Sequence, residues 1–307
     1  MMTKKIVLGF ALSAAVFAGA AYSQTKARAL SVETEPGAAV WVNDVKRGVT
    51  DSAGKIEIRP VSPGILSLRV RAKGFKETAL RITAAQKTVK VALVKTSDPA
   101  EIAFQEGEAA LGDDTEKAIE LYQRSIKLDP KYLNAYIALA RALTGNDNEA
   151  AHEAVAKARK LRPNYAEASA VEARIFRSDT ETEKAIDSFE RAIREGKGFQ
   201  PEAYTGLGLI YQDKAESAAA SGEFDDEKFY YEEAANAFEK AIDQLSATEP
   251  VVYILLGAVY EKAHEKEKAI RVYERFLRDF PVNSERTAVA SFIVQLKKEM
   301  SEEEQNR

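Results

Sequence analysis

The stretch Tyr253-Ile254-Leu255-Leu256-Gly257-Ala258-Val259-Tyr260, continued by Ala269, Tyr273, Phe276 and Pro281, decides how most of this chain folds. Tyr253, Leu256, Gly257 and Tyr260 share one face of a first helix. Ala269, Tyr273 and Phe276 share one face of a second, and Pro281 ends it because proline cannot continue a helix. Small residues such as Gly257 and Ala269 let the two helices approach closely, and the aromatics fill the space between successive hairpins. A hairpin with such a face cannot bury it alone, so copies must stack.

Working upstream, the second half recurs as Ala118-Tyr122-Ser125-Pro130, Ala151-Val155-Ala158-Pro163, Ala185-Phe189-Ala192 and Ala234-Phe238-Ala241. The first half recurs as Tyr136-Leu139-Ala140-Leu143 and Tyr204-Leu207-Gly208-Tyr211. A third copy, Ser169-Glu172-Ala173-Phe176, is degenerate, and the first is loose, with Phe104 and Gly107 as landmarks. The alanines are spaced by 33, 34, 49 and 35 residues. A period near 34 with this pattern resembles the tetratricopeptide repeat (TPR) family. The resemblance implies an all-α superhelix (an α-solenoid) of about five hairpins over 98–282, with a capping helix over 284–300, Ser284 as its N-cap and a disordered tail at 301–307.

The spacing of 49 places about 14 extra residues in the fourth hairpin, 202–245. Shared equally, they lengthen each helix by about two turns; a loop over 212–233 is the other arrangement. Phe224, Phe229, Tyr230 and Tyr231 lie in this insertion, either displayed to a partner or zipping the hairpin together.

Residues 30–95 read differently. Val40/Val42, Ile56/Ile58, Leu66/Leu68/Val70 and Val89/Val91/Leu93 alternate with polar neighbours, the signature of strands with one buried face. Turn residues separate the runs, and six or seven short strands predict a small β-sandwich. Glu35-Pro36-Gly37-Ala38, Val40-Trp41-Val42-Asn43-Asp44, Arg47-Gly48-Val49-Thr50, Pro63-Gly64 and Lys73-Gly74-Phe75 resemble a PEGA domain. Thr50-Asp51-Ser52-Ala53-Gly54-Lys55-Ile56 resembles the carboxypeptidase-regulatory, transthyretin-like module. Both resemblances imply a prealbumin-like all-β sandwich on exported proteins, and neither implies an activity. The chain is thus expected to be multidomain.

The N-terminus is an address. Lys4 and Lys5 precede an apolar run of 13 residues, Ile6 to Ala18, and then small residues. This is a signal-peptide layout, 1–23, with cleavage after Ser23 or Ala20. As a helix the run spans about 20 Å, short of the ~30 Å hydrocarbon core; a retained anchor is the alternative. After cleavage no membrane span is expected, and the location is periplasmic or secreted in a bacterium.

Charge divides the chain. Residues 24–96 hold 14 Lys/Arg against 6 Asp/Glu, and 97–307 hold 28 against 42. An array this acidic repels phosphates, which argues against nucleic acid. There is no cysteine and there are two histidines, His152 and His264. That removes disulfides, zinc–thiolate sites and most of the usual general bases. No nucleophile motif or phosphate loop is present, so no catalytic residue, metal or cofactor is assigned and no enzyme is expected.

In the TPR family the first helices line a groove that holds peptide segments. By motif position the groove residues are Asn134, Ile137, Arg141, Arg174, Arg177, Thr205, Leu209 and Ile254. The arginines would grip a carboxylate, or else pair with carboxylates of their own helix surface. On the β-domain, Trp41, Arg59, Arg69 and Arg71 are the candidate surface. Its basic face suits the chain's own acidic half, a membrane surface or an anionic envelope polymer, and an outward Trp41 suits a sugar ring or an interdomain seam. The expected function is a protein–protein interaction scaffold, with envelope-polymer or glycan binding as the alternative.

Overall fold

The computed structural model describes residues 28–61, 65–83 and 85–305. The signal segment and Pro63-Gly64 lie outside them.

Among the described residues seven strands come first: β1 (Arg28–Glu33), β2 (Ala39–Val42), β3 (Val45–Val49), β4 (Lys55–Val61), β5 (Leu66–Arg71), β6 (Thr78–Ile82) and β7 (Thr88–Lys90). They form two sheets, ordered β4-β1-β7 and β3-β2-β5-β6. Pairing is antiparallel except between β1 and β7. Leu30, Val32 and Ile58 from one sheet and Val40, Leu68, Val70 and Ile82 from the other belong to one buried cluster. Alternation therefore has a simple cause: each sheet turns every second residue into the same core.

Local chemistry sets the turns. Asn43 and Asp44 both have positive φ (50° and 63°), and they join Val42 to its partner Val45 in a two-residue hairpin. Asn and Asp tolerate the left-handed region better than other side chains, so this pair replaces a glycine-containing turn. Thr50 is buried and locks the Glu35-Pro36-Gly37 turn. Its hydroxyl donates to the Glu35 carbonyl at 2.7 Å and accepts from Ala38 N–H at 2.9 Å. At Gly54 (φ 72°) a β-carbon would sit 2.0 Å from the Thr34 carbonyl oxygen, so no other residue fits.

Ten helices follow as five hairpins: α1 (Pro99–Ala110) with α2 (Thr115–Leu128), α3 (Leu133–Leu143) with α4 (Asn148–Leu161), α5 (Ala166–Ser178) with α6 (Thr182–Glu195), α7 (Pro201–Ser221) with α8 (Phe224–Leu245), and α9 (Pro250–Lys262) with α10 (Lys266–Asp279). A last helix, α11 (Arg286–Gln305), packs on α10. Its start is set by Asn283, whose Oδ1 accepts from Glu285 N–H, rather than by Ser284. It runs as helix through 301–305, where a disordered tail was expected.

Close approach within a hairpin depends on paired residue sizes. Gly107 abuts Tyr122, Gly208 abuts Phe238 and Gly257 abuts Tyr273. A β-carbon at these glycines would lie 2.7, 2.6 and 2.1 Å from the ring. The second hairpin has Ala140 there and the smaller Val155 opposite, which keeps the combined volume similar. The excess in the fourth hairpin is helix: α7 and α8 have 21 and 22 residues, against 11 to 14 for the other hairpin helices. Gly222, left-handed at φ 75°, makes the reversal between them. Among the described residues no helix is long and apolar enough to cross a membrane.

Candidate functional site: the groove and the interdomain seam

First helices approach one another along the array, α3 to α5 and α5 to α7. The sharpest sign of curvature is an ion pair that skips a hairpin. Arg141 on α3 reaches Glu202 on α7 at 2.5 Å, passing α5. Only the inner side of a curved stack brings such residues together, so this is the concave face.

Two of the groove candidates, Arg141 and Arg174, meet there on Glu202. Arg141 pairs with Glu202 and, at 3.3 Å, with Glu167 of α5. Burial works against its charge, but Glu202 and Glu167 outweigh it and hold its pKa above the ordinary arginine value. Its Nε has no hydrogen-bond partner. Arg174 is 48% exposed and 3.4 Å from Glu202. Arg177 is exposed and makes no ion pair among the described residues. Arg141 and Arg174 thus share Glu202, and Glu167 adds a second carboxylate on Arg141.

The other candidates divide. Ile137 is 3% exposed and belongs to the core, because α3 is packed against α2, α4 and α5 at once. Leu209 and Ile254 are half-buried against the core of the last two hairpins. Thr205 spends its hydroxyl on the Pro201 carbonyl, 3.0 Å away in its own helix. Asn134 lines a shallow cleft of about 310 Å³ with Glu77, Glu101 and Tyr132, where the two domains meet.

That seam was only one of several readings of the β-domain's charge. Arg71 on β5 is 11% exposed and bonds Glu77 at 2.6 Å and Glu108 of α1 at 2.9 Å. Its guanidinium lies 5.2 Å from the Trp41 ring and 4.7 Å from Phe104 of α1. Arg69 stands 4.7 Å over Trp41. Backbone groups complete the joint. Gln105 accepts from Gly74 N–H and donates to the Phe75 carbonyl, and Glu101 accepts from Glu77 N–H, all at 2.8–2.9 Å. Glu101 and Gln105 are buried and satisfied by the other domain. Burial pushes the phenols of Tyr122 and Tyr132 well up, and Glu108 beside Tyr122 adds to the effect.

Arg59 does not join this group. It is 66% exposed on β4, in the other sheet, beside Glu57. The single basic face expected from alternation is therefore two faces on opposite sheets. Arg69 and Arg71 face the helices, while Lys55, Arg59 and Lys90 face away.

One cluster escaped sequence reasoning. In the third hairpin Ser169 is fully buried and donates to Glu195 at 2.5 Å. It accepts from Arg159 of α4 at 2.6 Å and Arg191 of α6 at 3.3 Å. Both arginines also bond Glu172. The polar residues at 169 and 172 of an otherwise apolar motif were the available signal. His152 meets Phe176 at a tilt, with ring centroids 4.7 Å apart, and lies 3.5 Å from Asp179. Among the described residues no three potential metal ligands converge.

Hairpins stacked with small residues against aromatics, first helices inside, fix the architecture. The helical part has the fold of a tetratricopeptide-repeat array. Residues 112–132 match the tetratricopeptide-repeat family model. Yeast Tom70 has the same fold over 67% of this chain and 41% of its own, at 16% identity and TM-score 0.53. A thermophilic TPR protein in Thermus thermophilus is 19% identical over 64% of this chain and 99% of its own, with TM-score 0.49. MamA protein is 22% identical over 61% and 94%, with TM-score 0.42. No curated protein matches the sequence.

Proposed function

We propose that this chain is an exported protein–protein interaction scaffold that holds a peptide or protein segment in the concave TPR groove. The carrying observation is the Arg141–Glu202–Arg174 constellation with Arg177 beside it. Arg174 and Arg177 offer exposed cationic donors on the inner face of an otherwise acidic array. Leu209 and Ile254, half-buried further along, supply apolar contact. The seam limits the site, since the β-domain engages α1 and the start of α3 lines the interdomain cleft. We read the β-domain as a prealbumin-like sandwich of the PEGA type, with Lys55, Arg59 and Lys90 left facing outward for docking. No chemistry is assigned to the chain.

A photo-crosslinking residue at position 209 tests the groove in cells. The expected result is a discrete conjugate that Arg174→Glu/Arg177→Glu abolishes. An equal yield from position 157, on the exposed side of α4, overturns the reading. Export is tested by the mass of the mature chain, expected to begin at Gln24 or Ala21.

A further inference from the structure

The extra length of the fourth hairpin contributes little to the array's core. Ala215, Ala218 and Tyr231 are its last buried contacts. Beyond them almost every residue from Ala219 to Phe229 is exposed, with Phe224 at 75% and Phe229 at 53%. Tyr231 zips the arm to the array, while these two phenylalanines do not.

One of the exposed rings, Phe229, is part of a series. Phe229 meets Tyr230 edge-on at 5.2 Å, and Tyr230 stacks on Tyr211 at 6.3 Å and 14°. Aromatic surface thus runs from the array toward the tip. Its surroundings are acidic. Glu223, Asp225, Asp226, Glu227, Glu232 and Glu233 stand against Lys228 on the same stretch. Lys214 is already committed, 3.1 Å from Glu183 and 4.9 Å over the Tyr230 ring. Acidic groups in the first turn of α8 complement its dipole, which accounts for 225–227 locally. It accounts neither for two exposed phenylalanines nor for Glu232 and Glu233 further along.

We propose that this arm is a docking surface for a cationic segment of a partner protein, anchored on Phe224 and Phe229. Two properties select that occupant. A ring face attracts guanidinium and ammonium groups, whose aliphatic stems also cover apolar surface. The carboxylates favour cations and repel an acidic chain. The surface is distinct from the arginine-bearing groove and opposite to it in charge, so the proposal does not rest on the groove reading.

The test uses the purified mature chain and fluorescence anisotropy with a short labelled arginine–leucine peptide and its glutamate–leucine counterpart. The arginine peptide is expected to bind and the glutamate peptide not to. Phe224→Ala/Phe229→Ala weakens binding roughly tenfold at unchanged net charge, which separates anchoring from bulk electrostatics. Asp225→Asn/Asp226→Asn weakens it roughly threefold and flattens its salt dependence. Arg174→Glu in the groove does not weaken it. Circular dichroism is expected to be unchanged in the phenylalanine variant, since both rings are exposed. Equal affinity of that variant and the parent overturns the proposal, as does equal binding of the glutamate peptide. A parent dimer that the phenylalanine variant dissolves also overturns it, because the occupant is then a second copy.

Discussion

The third and fifth hairpins have helices of the same lengths and differently built interiors. In the fifth, Tyr253, Tyr260, Tyr273 and Phe276 are buried, and each phenol reaches a carboxylate at the edge: Asp279, Glu239 and Glu261. In the third, the positions of Tyr253 and Leu256 are taken by Ser169 and Glu172, and the interior is closed by Arg159, Arg191 and Glu195. One hairpin is held by area removed from water; the other adds to the apolar contacts of Ala173, Ile186 and Phe189 a set of charges that must stay matched. The first kind loses stability in proportion to what is cut away. The second fails sharply when one member is removed, because the rest are left buried and unpaired.

The largest expected effect is in the aromatic hairpin. Phe276→Ala should cost about 4 kcal/mol, the usual price of truncating a fully buried phenylalanine, and a urea midpoint measures it. Glu172→Ala should cost about 2 kcal/mol, reduced from the fully buried case because its arginine partners keep some exposure. The comparison sharpens if Arg159→Ala is added to Glu172→Ala. A double-mutant cycle should then recover part of the loss, and purely additive costs would show that the cluster is not coupled. Native-state hydrogen exchange is expected to show the amides of α5 opening at lower free energy than those of α9, since α5 buries smaller side chains and a polar cluster where α9 buries tyrosines.

The smallest effect concerns the ties on either side of the arm. Lys262 on α9 bonds Glu216 at 2.5 Å, as Lys214 bonds Glu183 on the other side. The hydrogen bond from Lys262 lowers the Glu216 pKa below 4.5, and the same bond raises that of Lys262 above 10.5. The carboxylate's contribution is therefore present above pH 4.5 and lost as pH falls through its lowered folded value. The ammonium's is present below pH 10.5 and lost as pH rises through its raised one. Lys262→Met should cost less than about 1 kcal/mol across that window, read as a small shift in thermal midpoint.

Much of this architecture can be read from the chain because the repeat is a local packing rule. Gly257 before Tyr273, or Ala140 before Val155, states in sequence how near two helices come. Spacing alone counts the fourth hairpin's extra residues, and the structure shows them as helix and not as a loop. What lies across the stack is not local. That Arg141 would meet Glu202, 61 residues on, depends on how tightly the array curves. That Ile137 would be core and not groove depends on α3 having neighbours on three sides. Strand alternation told which residues face out, but Arg59 and Arg71 alternate alike and belong to different sheets. A period of two carries no information about which sheet a strand joins.

The seam around Arg71 has a consequence for avidity. Two modules on a slack tether search for a shared target, and the tether's length dilutes the second contact. Here Gly74, Phe75 and Glu77 are bonded directly to α1, and Arg71 is wedged between Trp41 and Phe104. For any target that touches both halves, the second contact is an intramolecular event whose effective concentration is set by this joint. A target whose two epitopes match that fixed span gains the whole advantage, and one that misses it by a few ångströms gains none.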